Sequence, residues 1–287
     1  MKTILITGSA GHSGSTIAAL LSEKFEVKGI DIHPSRFTTL KASLTDWQRV
    51  KEVTKNVDAI IHTASLHAPH VITHSREDFV DTNIKGTLYL LEAARLHKVR
   101  KFIYTSSTSV YGESLVDAEK AVWVTEDLVT QPRDIYDISK LTAEALCKDF
   151  FDNENLQTCS LRVSRFWDEP LPDKLFYRMY RGVDVRDVAQ AHQLALATDF
   201  DTFQLFNISA QTIFEQTERE ELKNELVALL QRKFPQIIDF FAEKNWTLPA
   251  SIDRVYSIEK ARKILDFCPQ YNISEMLGSL HKIDNTR

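Results

Sequence analysis

The 287-residue sequence has no apolar run approaching the length of a membrane span, and Met1-Lys2 leads directly into its first β-branched stretch. Neither a spanning helix nor a removable leader is therefore expected, and a cytoplasmic setting is predicted. Cysteine is scarce: Cys147, Cys159 and Cys268 lie far apart in apolar surroundings, with no redox C-x-x-C and no metal-ligand spacing. They predict reduced thiols rather than disulfides. Excess positive charge is missing too. A formal net charge of −5 removes the general electrostatic reason to bind nucleic acid or an anionic membrane. Internal repeats and low-complexity tracts are absent as well. What is present, 43% hydrophobic and 26% charged residues, suffices for one α/β core with a smaller lobe.

The chain opens with Thr3-Ile4-Leu5-Ile6-Thr7 and breaks into Gly8-Ser9-Ala10-Gly11-His12-Ser13-Gly14 ahead of a helical apolar pattern through Ile17, Ala18, Leu20 and Leu21. Glycines three apart between a strand and a helix suit a phosphate. Gly8 can turn with positive φ, Gly11 has no Cβ to meet a pyrophosphate, and Gly14 lets the helix close on the strand. The positive end of the helix then faces the anion. A second strand, Glu26 to Ile30, ends at Asp31, seventeen residues past Gly14, near where a dinucleotide fold carries its ribose-binding acid. Asp31 would repel a 2′-phosphate, so NAD is expected rather than NADP; Arg36 in the following loop is the opposing feature.

Strands continue to alternate with helices. Thr38 to Ser43 reads as a short strand, Asp46 to Lys55 as a helix entered through Thr45, Asp58 to His62 as a buried strand, Asp78 to His97 as a long amphipathic helix, and Lys101 to Thr105 as a strand. A polar loop from Glu113 to Arg133 leads to a helix from about Asp134 to Phe151. Gln157 to Val163 and Thr202 to Ile208 read as strands flanking a helix over Asp187 to Thr198. The remainder is mainly helical, with Thr217 to Phe234 strongly patterned and a capped helix over Ser257 to Leu265. The order predicts an α/β doubly wound Rossmann parallel sheet with right-handed crossovers and a small, mainly helical C-terminal substrate lobe. The expected division is residues 1–163 rejoined by 183–208 for the sheet, and 164–182 with 209–287 for the lobe.

Tyr136 and Lys140 sit four residues apart on one face of a predicted helix. A free tyrosine has a pKa near ~10, so a base working near ~7 needs roughly 4 kcal/mol of preferential anion stabilisation. A nearby cation supplies ~1–3 units of that. On residues alone, a packed tyrosine and a solvated lysine remain the alternative. The hydroxyl-rich segment Tyr104-Thr105-Ser106-Ser107-Thr108-Ser109 ends a strand, where a doubly wound sheet faces its ligand.

Together these residues resemble the extended short-chain dehydrogenases/reductases, the NAD-dependent epimerase/dehydratase family. The matching positions run through the glycine string, Asp31, Asp46, His62-Thr63-Ala64, Asn83 to Thr87, Ser106-Ser107 before Val110-Tyr111-Gly112, Tyr136 with Lys140, Leu161-Arg162 and Val183 to Ala189. The resemblance implies Tyr136 as acid/base, Lys140 lowering its pKa and holding the nicotinamide ribose, and Ser107 orienting the substrate hydroxyl, with Ser106 and Thr105 as alternatives to Ser107. It places Gly8, Ala10, Gly11, His12, Ser13, Gly14, Asp31, His62 and Ala64 around NAD, Asp46 at the adenine, and Asn83 behind the active-site helix. Plain helix-end roles for Asn83 and Asp46 stay open. Ser65, His67 and Thr108 would line the substrate, and the two long helices would form a homodimer.

Several positions depart from the family. The Asp-Glu pair of its sugar dehydratases is Thr108-Ser109 here, which argues against a 4,6-dehydratase. Leu161-Arg162-Val163-Ser164-Arg165-Phe166-Trp167 replaces the usual Leu-Arg-x-x-Asn and aromatic-Gly-Pro turn, and the segment to Val183 is short, so a smaller substrate is expected. Arg165 could meet a carboxylate or phosphate and Trp167 a sugar face; equally, Arg165 could balance Asp168 or Glu169 and Trp167 could be interface or core. His12 fills a slot that is usually apolar. The run His62, His67, His70, His74 lacks completing ligands, so no metal is predicted. The leading expectation is an NAD(P)-dependent oxidoreductase, with NAD preferred, acting on a hydroxyl or ketone of a sugar or polyol-like small molecule. A sugar epimerase that keeps its cofactor and a non-catalytic dinucleotide sensor are the alternatives.

Overall fold

The computed structural model describes residues 1–284. The elements run β1 (Thr3–Thr7), α1 (His12–Leu21), β2 (Glu26–Asp31), β3 (Leu40–Lys41), α2 (Trp47–Val53), β4 (Ala59–His62), α3 (Arg76–Phe79), α4 (Gly86–Leu96), β5 (Lys101–Ser107), β6 (Val122–Val124), α5 (Ile135–Glu154) and β7 (Gln157–Val163). They continue with α6 (Leu171–Arg178), α7 (Val185–Ala197), β8 (Gln204–Ile208), α8 (Arg219–Asn224), α9 (Leu226–Lys233), α10 (Pro235–Glu243), β9 (Arg254–Tyr256), α11 (Glu259–Leu265) and α12 (Ile273–Asp284).

Seven strands form one parallel sheet in the order β3-β2-β1-β4-β5-β7-β8. The order reverses between β1 and β4, and there the sheet opens a crevice at its carboxyl edge. Alternation along the strands fills both faces. Ile4, Ile6, Ile61 and Ile103 meet α1 and α7 on one side; Leu5, Ile60 and Phe102 meet α4 and α5 on the other. A third core of Leu175, Phe176, Leu222, Leu229, Ile237 and Phe240 builds the helical lobe. No helix among the described residues is long and apolar enough to cross a membrane, and all three cysteines are free.

Some local expectations shift. The third strand shortens to two residues, and Asp46 rather than Thr45 caps α2, its carboxylate accepting from Arg49 N at 3.2 Å. The long helix before β5 is interrupted by a π-helical turn over Val80–Lys85. The helix expected over Thr217 to Phe234 breaks at Glu225, whose φ of −138° leaves the helical region. The polar loop hides β6, which pairs in parallel with β9 more than a hundred residues later. Residues Ile258, Ala261 and Leu265 of the C-terminal region join the sheet's core rather than the lobe's.

Two buried histidines tie the sheet to its helices. His192 Nδ1 lies 2.7 Å from the Val188 carbonyl, so that nitrogen donates and Nε2, 2.8 Å from Thr105 Oγ1, accepts. His62 has the opposite tautomer. Thr87 Oγ1 donates to Asn83 O, so it accepts from His62 Nε2 at 2.9 Å, leaving Nδ1 to accept from Thr7 at 2.7 Å. Burial pushes His62 down to about 3 and His192 to about 4, from 6.5. Between those values the unfolded chain binds more protons, so stability rises with pH there and is lost on acidification below 6.5. The slope is at most about 1.4 kcal/mol per pH unit for each histidine. Urea midpoints at about pH 7 and about pH 5 should show the loss, and His192→Gln should lessen it.

Candidate active site

The glycine turn sits at the crevice. Gly8 has φ +69°, and a Cβ there would lie 2.8 Å from Ala64 N; one on Gly14 would lie 2.1 Å from Gly8 O. A Cβ on Gly11 meets nothing closer than Gly8 O at 3.3 Å, which leaves its outer side open. Gly11 is the N-cap of α1 without a side-chain cap, and the first turn holds no acid. The amides of that turn are thus available to an anion. Asp31, at the end of β2, accepts from Ala10 N at 2.9 Å and His33 N at 2.8 Å, locking the turn to the strand beside it. His12 and Ser13 line the cleft, and the His12 ring stacks on Phe166 at 6.2 Å.

On the other side of the same cleft, whose volume is about 950 Å³, stand Ser107, Tyr136 and Lys140. Asp134 caps α5 by accepting from Asp137 N at 3.0 Å, which puts Tyr136 in the first turn and Lys140 one turn on. Both are buried. Lys140 Nζ donates to Thr105 O at 2.9 Å and lies 5.9 Å from the centroid of the Tyr136 ring. Burial pushes the phenol of Tyr136 up to about 12, opposed chiefly by the Ser107 hydroxyl. Burial also pushes Lys140 down to about 7, opposed by Glu144. The expected lowering of the phenol by the lysine is therefore not what this structure shows: desolvation governs both groups.

The two hydroxyls that precede Ser107 are already used. Thr105 bonds His192, and Ser106 donates to Glu144 at 2.6 Å. Glu144 is held by Arg162, with Nε at 2.9 Å and Nη2 at 2.7 Å, a buried fork that fixes α5 against β7. Only the spacing of Glu144, one turn after Lys140, could have flagged it in the sequence. Asn83 lies inside the π turn, donates to Ser139 Oγ at 2.9 Å and Leu66 O at 3.0 Å, and accepts from Leu66 N at 2.8 Å. It joins α5 to the loop after β4. Asn83→Ala is expected to cost about 1–3 kcal/mol, measured by chemical denaturation, because the Leu66 amide and carbonyl lose their partner.

Other expected residues divide. His67 and Thr108 line the cleft, His67 with its ring 6.5 Å from that of Tyr136. Trp167 lines it as well and is half exposed. Arg165 lines it but is paired with Glu169 and lies 5.3 Å over the Tyr177 ring. Ser65 donates to Leu66 O, and Ala64 N binds Thr7 Oγ1. The imidazole of His62, with both nitrogens taken, stiffens the strand end rather than facing the cleft, and Asp46 serves as a helix cap. Arg178, Arg181 and Arg254 also line the cleft, and nothing in their local sequence marked them.

Among curated relatives, the chain is 28% identical over 195 residues to a 3-beta-hydroxysteroid dehydrogenase of Mycolicibacterium neoaurum, covering 62% of this chain and 52% of that protein. The chain spans about half the length of the first curated relatives it matches. Among solved structures, a short-chain dehydrogenase/reductase superfamily protein from Agrobacterium tumefaciens with bound NAD superposes with a TM-score of 0.74 at 23% identity, covering 99% of this chain and 98% of that one. The UDP-glucose 4-epimerase of Thermotoga maritima gives 0.72 at 20% identity and 96% coverage of both. At such identities these two likenesses speak for the fold. With the family model matched over residues 4–167, more than half of the chain, the protein belongs to the NAD dependent epimerase/dehydratase family.

Proposed function

We propose that the protein is an NAD-dependent oxidoreductase acting on a hydroxyl or ketone of a sugar or sugar-like substrate, with Tyr136 as the proton-transferring group. The observation that carries this is the convergence of Ser107, Tyr136 and Lys140 on the cleft that His12 and Ser13 of the glycine turn also line. A sheet-edge turn with Gly8 at positive φ, an open Gly11 and Asp31 alongside fits a dinucleotide, and the carboxylate of Asp31 favours NAD over NADP. Bound NAD supplies the hydride acceptor and a positive ring. Ser107 positions the substrate hydroxyl, and the Tyr136 oxygen takes its proton as the carbon gives up hydride, leaving a ketone and NADH. Lys140 carries its ammonium against the Thr105 carbonyl, placed to hold a ribose hydroxyl. The phenolate forms in the first turn of α5, where the helix dipole favours negative charge.

Incubation of the protein with NAD and a panel of sugars and polyols tests the reading. NADH is expected to accumulate in step with a ketone or lactone product. A product isomer without NADH would make the enzyme an epimerase that returns hydride in place. Turnover that survives in Tyr136→Phe would end the proposal. A homodimer through α4 and α5, with the exposed Ile138 in the interface, belongs to the same proposal; light scattering showing a monomer at working concentration would contradict it.

A further inference from the structure

We propose that the stacked rings of His12 and Phe166 retain the dinucleotide, so that NADH leaves the protein only when the two rings part. The inference rests on the dinucleotide reading above and goes beyond it, from recognition to release. His12 opens α1 within the glycine turn, and Phe166 lies in the segment that leaves β7. In the sheet β1 and β7 are separated by β4 and β5, three strand spacings or about 14 Å. The two rings still meet, with centroids 6.2 Å apart and planes inclined by 18°. The contact therefore bridges segments that the sheet keeps apart.

Both rings line the cleft, on the side opposite the phenol. Tyr136 and Lys140 come from α5, whereas His12 and Phe166 belong to the face that α1 and α7 cover, Phe166 packing on the core that holds Ile17 and Val188. A dinucleotide with its diphosphate at the glycine turn and its reactive ring beside Tyr136 lies between these two sides. Both rings also stand on fixed backbone. The His12 carbonyl accepts from Thr16 Oγ1 at 2.8 Å and from Ser15 Oγ at 3.2 Å. Arg165, next to Phe166, donates its N–H to Arg181 O at 3.1 Å and accepts from Val183 N at 2.9 Å. Phe166 is half-buried and His12 exposed, so the imidazole is the half that can swing away without disturbing the core. An aromatic pair of this geometry is strong enough to slow such opening about two- to tenfold. Release then decides the outcome of the chemistry: NADH that leaves makes a dehydrogenase, and NADH that is held can return its hydride.

The test is the dissociation rate of NADH, read by stopped-flow fluorescence when the loaded protein is mixed with excess NAD. It is measured for the unaltered protein, His12→Ala, Phe166→Ala, the double variant and His12→Phe, each with a thermal melt. Each alanine variant is expected to release NADH about two- to tenfold faster, and the double variant no faster than the faster single one. His12→Phe, which keeps a ring in place, is expected to release it slowly again. Because His12 is exposed, His12→Ala with His12→Phe decides the matter even if Phe166→Ala loses its fold. Unchanged release in His12→Ala, alanine effects that multiply in the double variant, or release from His12→Phe as fast as from His12→Ala overturns the proposal. Those outcomes leave NADH binding by the unaltered protein intact. A protein that binds no NADH at all would instead end the dinucleotide reading, and this proposal with it.

Discussion

Tyr136→Phe is expected to lower turnover by about 10²–10⁴-fold, the range seen when a general acid/base is removed, while leaving cofactor binding and the fold in place. The substitution deletes one oxygen. The ring that α5 buries beside Ser107 remains, and the backbone carbonyl that accepts from Ser139 at 2.8 Å is unchanged. The glycine turn lies across the cleft and is untouched. Initial rates with NAD saturating, set beside NADH fluorescence titration and a thermal melt, separate the outcomes. A variant that loses activity and NADH affinity together would place the phenol among the cofactor's supports rather than at the reacting hydroxyl.

Gly14→Ala is the second large effect. The added carbon would lie 2.1 Å from the Gly8 carbonyl oxygen and 2.8 Å from its carbon, both backbone atoms of the turn itself. Neither can swing away as a flexible side chain could. The turn and α1 must separate, at about 1–3 kcal/mol of overpacking strain. That strain falls on the amides meant for the pyrophosphate, so NAD affinity should drop about ten- to hundredfold. Gly278→Ala is the matched control. Nothing lies within 4 Å of a Cβ there, and an alanine inside α12 should stabilise the helix by about 0.5–1 kcal/mol with no effect on NAD. Equal NAD affinity in Gly14→Ala and Gly278→Ala would show that the turn is not the phosphate cradle.

Much of this could be read before folding because the signals are local. The β1 to α1 turn declares itself through glycine spacing, and Tyr136 with Lys140 through helical period, so both arrive where expected. What escaped depends on partners distant in the chain. β6 and β9 have three residues each and exist only because they meet. The π turn over Val80–Lys85 contains no glycine or proline to announce it; it is held by the bonds that Asn83 makes to Leu66 and Ser139. Ser106 and Ser107 look alike in sequence, and the buried Glu144 distinguishes them by claiming one hydroxyl.

The central claim is that the buried phenol of Tyr136 becomes a base when the oxidised dinucleotide is present. Ultraviolet difference titration of the unaltered protein against Tyr136→Phe, with and without NAD, measures it directly. Without NAD the phenol should ionise high, toward the value of about 12 that burial imposes. With NAD its pKa should fall by about 2 units or more, as an added positive charge nearby requires. A phenol that titrates identically in both conditions would contradict the account.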